Sequence, residues 1–333
     1  MTRSLKISRA VPVSPAGNDQ AYLAQWAWKK MKVKKAWERV ADMRRAKFLR
    51  EEPITVAIVD WGIQRDHVGF SPEMNVSGAS VIGDGNIRDD DGHGTMLAGT
   101  IAGMTNNTRG NGGGSPMRLL AVKFIDVKTP PMSANAAKAI RYAVDHGARI
   151  INASWDVGLN SSELRTAIKD AGEARRYAGD KGVLVVVAAG NDGGDNDHYP
   201  AFPAGFHLPN MIVVMATNED DEKPGFSNYG PGTVDIAAPG VNIVSTSPYL
   251  VPPSRHHPAY RRYSGTSPAA AHVSGAAALL LSIFPDWSPA DIRDCLINSA
   301  RKIPGLHRYC RAGGRLNLGN ALGNRVYGPL RPS

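Results

Sequence analysis

The chain predicts a doubly wound α/β fold, with a mostly parallel central sheet and helices on both faces, from three observations. Five short segments are almost wholly apolar: ITVAIVD (54–60), LLAVKFI (119–125), ARIINAS (148–154), VLVVVAA (183–189) and MIVVMAT (211–217). Strands that are apolar along their whole length are buried on both faces, as in parallel sheets. Helical stretches at 95–104, 133–146 and 161–181 separate several of them, giving a strand–helix alternation. The 333 residues, 42% of them apolar, supply a sizeable core, and 35 Gly and 23 Pro without a fixed period exclude collagen-like and solenoid folds.

In chain order, residues 1–19 are polar and irregular and read as an N-terminal extension. Residues 20–50 alternate apolar and basic positions with helical spacing, which predicts a basic arm packed on the one large domain that spans 20–325. The first strand follows at 54–60. The helix at 161–181 has Ser161 and Ser162 ahead of Glu163 as cap candidates. After residue 218 come turn-rich segments (KPGFSNYGPG, APG) with short strands, then helices near 266–284 and 288–300, and a short tail at 326–333. The longest apolar stretch, Ala269 to Phe284, is interrupted by His272 and Ser274 and reads as a buried helix, so no membrane span is expected.

Charge is concentrated at one end. Residues 1–50 hold 13 Lys and Arg against 3 Asp and Glu, and the remainder is close to neutral. Lys29, Lys30, Lys32, Lys34 and Lys35 read as a solvated face around buried Trp26, Trp37 and Val40, and with no nucleic-acid module beside them no nucleic-acid partner is expected. Cys295 and Cys310 are too few for a disulfide scaffold or a zinc site and leave one optional disulfide.

Ligands of doubly wound sheets bind beyond the carboxyl ends of the strands, so the residues at those ends carry the chemistry. Asp60 closes the first apolar run, where a carboxylate must be paired or exposed. His93 lies in DDDGHGTMLAG at a helix start, and the neighbouring Asp89, Asp90 and Asp91 read as a solvated acidic loop without a partner motif for a metal. Ser267, in YSGTSPAAAHVSGAAALLL, follows a glycine turn and precedes Pro268, which favours the first turn of a helix. A serine nucleophile needs a base to take its proton and an acid to orient that base, and Ser267, His93 and Asp60 offer those roles.

The segments NDQAYLAQWAWKKMKVKKAWE, VAIVDWGI, DGHGTMLAGTIAG, VVVAAGND, FSNYGPGTVDIAAPGVNIVST, GTSPAAAHVSGAAALL and GGRLNLGNAL together resemble the subtilisin-like serine proteases, the subtilases, over residues 18–323. The Asp, His, Ser chain order matches that of subtilisin. The resemblance implies a serine endopeptidase that hydrolyses extended polypeptides through an acyl-enzyme, with Asp60, His93 and Ser267 as triad, Asn191 in the oxyanion hole and no cofactor required for chemistry. It also implies a pocket for the residue before the scissile bond, walled by Ser154, Trp155 and Asp156 and by Ala188, Ala189 and Gly190, with His198 near its base. Asp156, Asp192, Asp195 and Asp197 then suggest a preference for Lys or Arg. Tyr199 and Pro200 match a pair that the family holds cis, and the loop at 104–114 lies where relatives bind structural calcium.

Four positions depart from the family pattern: Trp61 for a small hydroxylic residue, Met96 for a second histidine, Pro268 for an apolar residue, and Ala271 for a proline. They motivate the alternative of a catalytically weak or inactive subtilase-like binding protein. About 17 residues precede the mature-like start, and the first 20 lack the apolar run of a secretory signal. Two expectations stay open: a cytoplasmic chain that folds unaided or with an inhibitor or chaperone partner, or the trimmed mature form of a secreted one.

Overall fold

Ile54–Asp60 is buried at every position and forms β2, the strand around which the sheet is organised. The computed structural model describes residues 11–12, 25–45, 52–70, 74–83, 85–104, 117–129, 132–174, 181–248 and 259–323. Among these, β3 (Asn75–Ser80), β4 (Met117–Lys123), β5 (Ile150–Ala153), β6 (Leu184–Ala188), β7 (Met211–Thr217), β8 (Ile236–Pro239), β11 (Arg301–Lys302) and β12 (Gly314–Arg315) join β2 in a nine-stranded sheet of order β11-β12-β8-β7-β6-β5-β2-β4-β3. Every neighbouring pair is parallel except β11 with β12. The chain runs from β4 across β2 to β5, so the strand order reverses beside the carboxyl end of β2, where Asp60 sits.

The edge strand β3 (NVSGAS) has no apolar run and gave no strand signal in the sequence. It pairs with β4 through its backbone, and Gly78 is required there because a Cβ would lie 1.9 Å from the Ala121 carbonyl oxygen. A second sheet contains β1 (Val11–Pro12), β9 (Ile243–Thr246) and β10 (Tyr260–Tyr263), all antiparallel.

The basic arm is two helices rather than one, α1 (Trp26–Met31) and α2 (Val33–Arg45), separated by Lys32 in the left-handed region at φ 59°. Trp28, Val33, Ala36, Val40 and Met43 are buried, whereas Trp26 and Trp37 are half-buried. Trp37 Nε1 donates to the Met104 carbonyl at 2.9 Å and Trp26 Nε1 to that of Val241 at 3.2 Å, while Lys29, Lys32, Lys34 and Lys35 face solvent.

The remaining helices are α3 (His93–Met104), α4 (Ser133–Asp145), α5 (Ser162–Glu173), α6 (Thr266–Ile283), α7 (Pro289–Asn298) and α8 (Leu318–Ala321). Ser161 caps α5 by accepting from Leu164 N–H. This helix stops at Glu173, short of the expected residue 181, because Ala174 turns extended (ψ 134°). Just before that turn, Gly172 packs against Asn210, leaving no room for a Cβ. A capping box of Ser288 and Asp291 starts α7.

Helix α6 is long and apolar enough to cross a membrane by length and composition, yet all 18 of its residues lie inside the protein, as expected of a helix apolar on every side. It packs on α3 and on β5, β6 and β7. Gly275 makes the α3 contact close: a Cβ there would meet Met104 Cβ at 2.5 Å. Cys295 and Cys310 are both buried, and no disulfide joins them.

Candidate active site

Asp60 and His93 come together at the carboxyl end of β2. The imidazole Nδ1–H donates to both carboxylate oxygens, at 2.9 and 3.0 Å, and both side chains are almost fully enclosed. Burial opposes a charged imidazole, but the Asp60 carboxylate more than offsets it, with Asp91 and Asp89 adding to the effect, so His93 titrates above its ordinary 6.5. Its other nitrogen, Nε2, is buried and has no hydrogen-bond partner among the described residues. With Nδ1–H committed to Asp60, Nε2 is the lone-pair end of a neutral ring.

Local packing forces this approach. A Cβ on Gly94 would stand 2.0 Å from the Gly62 carbonyl oxygen, so only glycine lets α3 begin this close to the turn after β2. Asp89 is not part of a solvated loop. It is buried, and its carboxylate accepts from the N–H groups of Asp91, Gly92 and Thr95 at 2.7–3.1 Å and from the Thr95 hydroxyl at 2.6 Å, which anchors the start of α3. Burial, against these hydrogen bonds, raises its pKa. Asp90 forms an ion pair with Lys123, and Asp91 is raised chiefly by burial, against the pull of His93. Within the acidic run Asp89 is thus the buried anchor that holds the peptides around His93, whereas Asp90 and Asp91 are exposed.

Ser267 is the second residue of α6. Its hydroxyl donates to the Ser154 carbonyl at 3.4 Å, and the Ser154 hydroxyl donates to the Ser267 carbonyl at 3.4 Å. No hydrogen bond joins Ser267 to His93 in this arrangement; the two are related through the α3–α6 packing. Asn191 follows β6 and lies beside the same helix start. Its Oδ1 accepts from Thr266 N–H at 2.8 Å and from the Thr266 hydroxyl at 3.1 Å. With the oxygen committed, the amide presents its Nδ2 hydrogens as the open end.

The four departures from the family pattern are accommodated. Trp61 places its backbone N–H on Asp60 Oδ1 at 2.9 Å, so the carboxylate keeps a donor that does not depend on a side-chain hydroxyl. Met96 is buried, and its carbonyl accepts from the hydroxyls of Ser245 (2.7 Å) and Thr100 (3.1 Å). Pro268 occupies the first turn of α6, where an N–H has no intrahelical acceptor, and Ala271 continues the helix inside the core.

The expected pocket is only partly where the sequence put it. Ser154 and the Ala188–Gly190 segment flank Ser267 and Asn191, with Gly190 N–H donating to the Thr266 hydroxyl at 3.2 Å. The Trp155 ring, however, turns into the core, its Nε1 donating to the Val59 carbonyl at 2.8 Å and its face tilted on Phe124. His198 is largely exposed and bonds Asp195 at 3.0 Å. The segment that comes beside Asp156 is instead that of Phe202, whose carbonyl accepts from Val157 N–H at 3.0 Å. The cis peptide is correspondingly Phe202–Pro203 and not Tyr199–Pro200.

Asp195 and Asp197 are loop anchors rather than pocket charges. Asp195 accepts from Asp197 N–H, and Asp197 accepts from Gly232 N–H and the Thr233 hydroxyl, which hold it below the usual carboxylate range against its burial. The exposed Asp156 accepts from Gly158 N–H at 2.6 Å. The loop expected to bind calcium, beyond Met104, lies outside the described residues. Among the described residues no cluster of three or more His, Cys, Asp or Glu side chains forms a metal site.

Lys123 stands outside the family motifs, and its one signal in the sequence is a charge near the end of the buried strand LLAVKFI, which requires a partner.

Comparison with known proteins agrees with this geometry. The subtilase family matches residues 51–318. Thermitase of Thermoactinomyces vulgaris is 36% identical over 299 residues, covering 90% of this chain and 95% of that protein, and subtilisin Savinase of Lederbergia lenta is 34% identical over 258 residues, covering 77% and 86%. The crystal structure of a cold adapted subtilisin-like serine proteinase superposes with a TM-score of 0.62 at 25% identity, covering 80% of this chain and 89% of that one. A mostly parallel sheet with Asp60, His93 and Ser267 at its carboxyl edge and a match over most of the chain lead to one conclusion: this protein belongs to the subtilase family of serine endopeptidases.

Proposed function

We propose that Ser267 is the nucleophile, His93 the general base, Asp60 the acid that orients it, and Asn191 an oxyanion donor in the hydrolysis of peptide bonds of extended polypeptides. The observation that carries this reading is the Asp60–His93 hydrogen bond with His93 Nε2 left buried and unpartnered. The Ser267 hydroxyl leaves the long bond to Ser154, gives its proton to Nε2 and attacks the carbonyl carbon; hydrogen bonds of this kind are often loose before substrate is bound. The developing oxyanion is met by Asn191 Nδ2–H and by Ser267 N–H, which lies in the first turn of α6 without an acceptor one turn back. His93 then returns the proton to the leaving amine, and a water activated by the same imidazole cleaves the acyl-enzyme.

Every proton transfer in this scheme is assigned to these side chains. Treatment with a fluorophosphonate followed by mass spectrometry should place one adduct on Ser267, and Ser267→Ala should lose both the adduct and cleavage of a denatured protein. A folded parent protein that takes no adduct on Ser267 would overturn the assignment.

A further inference from the structure

We propose that Lys123 is a positioning residue for His93, acting through the 85–92 loop; this rests on the assignment of His93 as general base. Lys123 ends β4 and lies opposite Asp60 in the parallel register. Its side chain is 7% exposed, and its ammonium forms an ion pair with Asp90 and donates to the Arg88 carbonyl at 2.9 Å. A buried ammonium is retained only when its donors are used, and both identified partners belong to one loop.

That loop lies across the tips of β2 and β4. Ile63 N–H donates to the Ile87 carbonyl at 2.9 Å, and the Ile87 and Arg88 carbonyl oxygens pack on Gly62 so tightly that a Cβ there would come within 2.3 and 2.7 Å of them. Between the two residues gripped by Lys123 lies Asp89, whose carboxylate holds the N–H groups of Gly92 and Thr95 on either side of His93. The chain of contacts runs from Lys123 to Arg88 and Asp90, through Asp89, to the peptides flanking His93. Loss of the ammonium leaves the Arg88 carbonyl and the Asp90 carboxylate without that donor, and the loop is free to draw His93 away from Asp60. The ammonium touches neither His93 nor Asp60, so its effect is on geometry.

The test compares the parent with Lys123→Met, Asp90→Asn and the double variant. Active sites are counted with a fluorophosphonate, and kcat and KM on one peptide anilide are measured against pH. Displacement of a catalytic group by about 1 Å costs on the order of 10²-fold, so Lys123→Met should lower kcat per titrated site by that order, with KM changed less than about threefold. The pH midpoint of kcat should move down, because a His93 drawn from Asp60 loses the interaction that raises it.

Asp90, whose side chain is 35% exposed, tests the same contact without a buried vacancy: Asp90→Asn should lower kcat about tenfold, and the double variant should be no slower than Lys123→Met alone. The proposal is overturned if Asp90→Asn or a folded Lys123→Met retains the parent kcat and pH midpoint, or if the two losses multiply. If Lys123→Met does not fold, Asp90→Asn decides. A parent that takes no adduct would bring down the triad assignment itself; an active parent with unchanged variants brings down only the role of Lys123.

Discussion

Acidification should destabilise this protein through two buried histidines outside the proposed site. His67 Nε2–H donates to the carbonyls of Ser247 (3.1 Å) and Ala259 (2.9 Å), while its Nδ1 accepts from Gly69 N–H at 3.0 Å. A second proton on Nδ1 would face that N–H. His272, wholly buried in α6, donates from Nδ1 to the Pro239 carbonyl at 3.0 Å and keeps Nε2 without an acceptor. Burial lowers both from 6.5 to about 4. Both folded values lie below the unfolded one, so the unfolded chain binds more protons between about pH 4 and 6.5, and stability falls as pH falls through that window.

Integrating the linkage relation from neutral pH to pH 5 gives a loss of about 2 kcal/mol per histidine, or about 4 kcal/mol for the pair. His93 contributes in the opposite sense: its raised value gives stability below 6.5 that is lost as pH rises through it. Asp89 and Asp91, also raised, oppose the acid loss as they protonate. The assay is urea denaturation at pH 5.0 to 7.5 in a Ser267→Ala background, which prevents self-cleavage, with and without His67→Gln and His272→Asn. These amides mimic the donating nitrogen of each ring without titrating, and the carboxylate contributions are common to all variants. The doubly substituted protein should lose the acid slope; a slope equal to the parent's between pH 5 and 6.5 would refute the reasoning.

Three further outcomes follow from the same geometry. Gly94→Ala should lower kcat by on the order of 10²-fold, since its Cβ must displace the Gly62 carbonyl from 2.0 Å, and steady-state kinetics within about threefold of the parent would contradict the packing argument. Hydrolysis should rise with pH through a midpoint above 6.5, because the base is neutral His93, and in Asp60→Asn that midpoint should fall; a parent midpoint at or below 6.5 in a kcat/KM profile would contradict the raised His93. Trp61→Ser should leave kcat within about threefold, since the backbone N–H already serves Asp60, while lowering the melting temperature through lost packing; a large activity loss at unchanged melting would give the indole a direct role.

The strands that position the site were legible because a parallel sheet is apolar on both faces; Asp60 was legible because it closes such a strand, His93 because it stands beside Gly94, where the packing leaves no room for a side chain, and Ser267 because it lies between a glycine turn and a proline at a helix start. Edge strand β3 was not, since its pairing is carried by backbone groups and its side chains are small and half-exposed. The pocket register failed at Tyr199 because two aromatic–proline pairs lie three residues apart, and only the bond from Val157 N–H to the Phe202 carbonyl decides between them. Asp195 and Asp197 were misread as pocket charges because the donors that satisfy Asp197, Gly232 and Thr233, lie 35 and 36 residues away in sequence. Charges on turns reveal their acceptors' demand but not their partners.

The site is the meeting of two separately anchored halves. One carries Asp60 and His93 and is fixed by β2, β4 and the Asp89-centred loop; the other carries Ser267 and Asn191 and is fixed by Ser154, Thr266 and the Gly265 N–H bond to the Gly240 carbonyl at 2.8 Å. What sets one half against the other is the contact of α3 with α6 at Gly275 and Met104, reinforced where Ser245 and Thr246 of β9 donate to the Met96 and Thr95 carbonyls at 2.7 and 2.6 Å. Because β9 pairs antiparallel with β10, and β10 leads directly into the Ser267 turn, those two bonds tie the strand pair of one half to the helix of the other. The relation between His93 and Ser267, the proposed base and nucleophile, therefore resides in close-packed backbone and hydroxyl bonds. Under the proposed assignment, catalysis asks of this frame that the Ser267 hydroxyl exchange its 3.4 Å bond to the Ser154 carbonyl for one to His93.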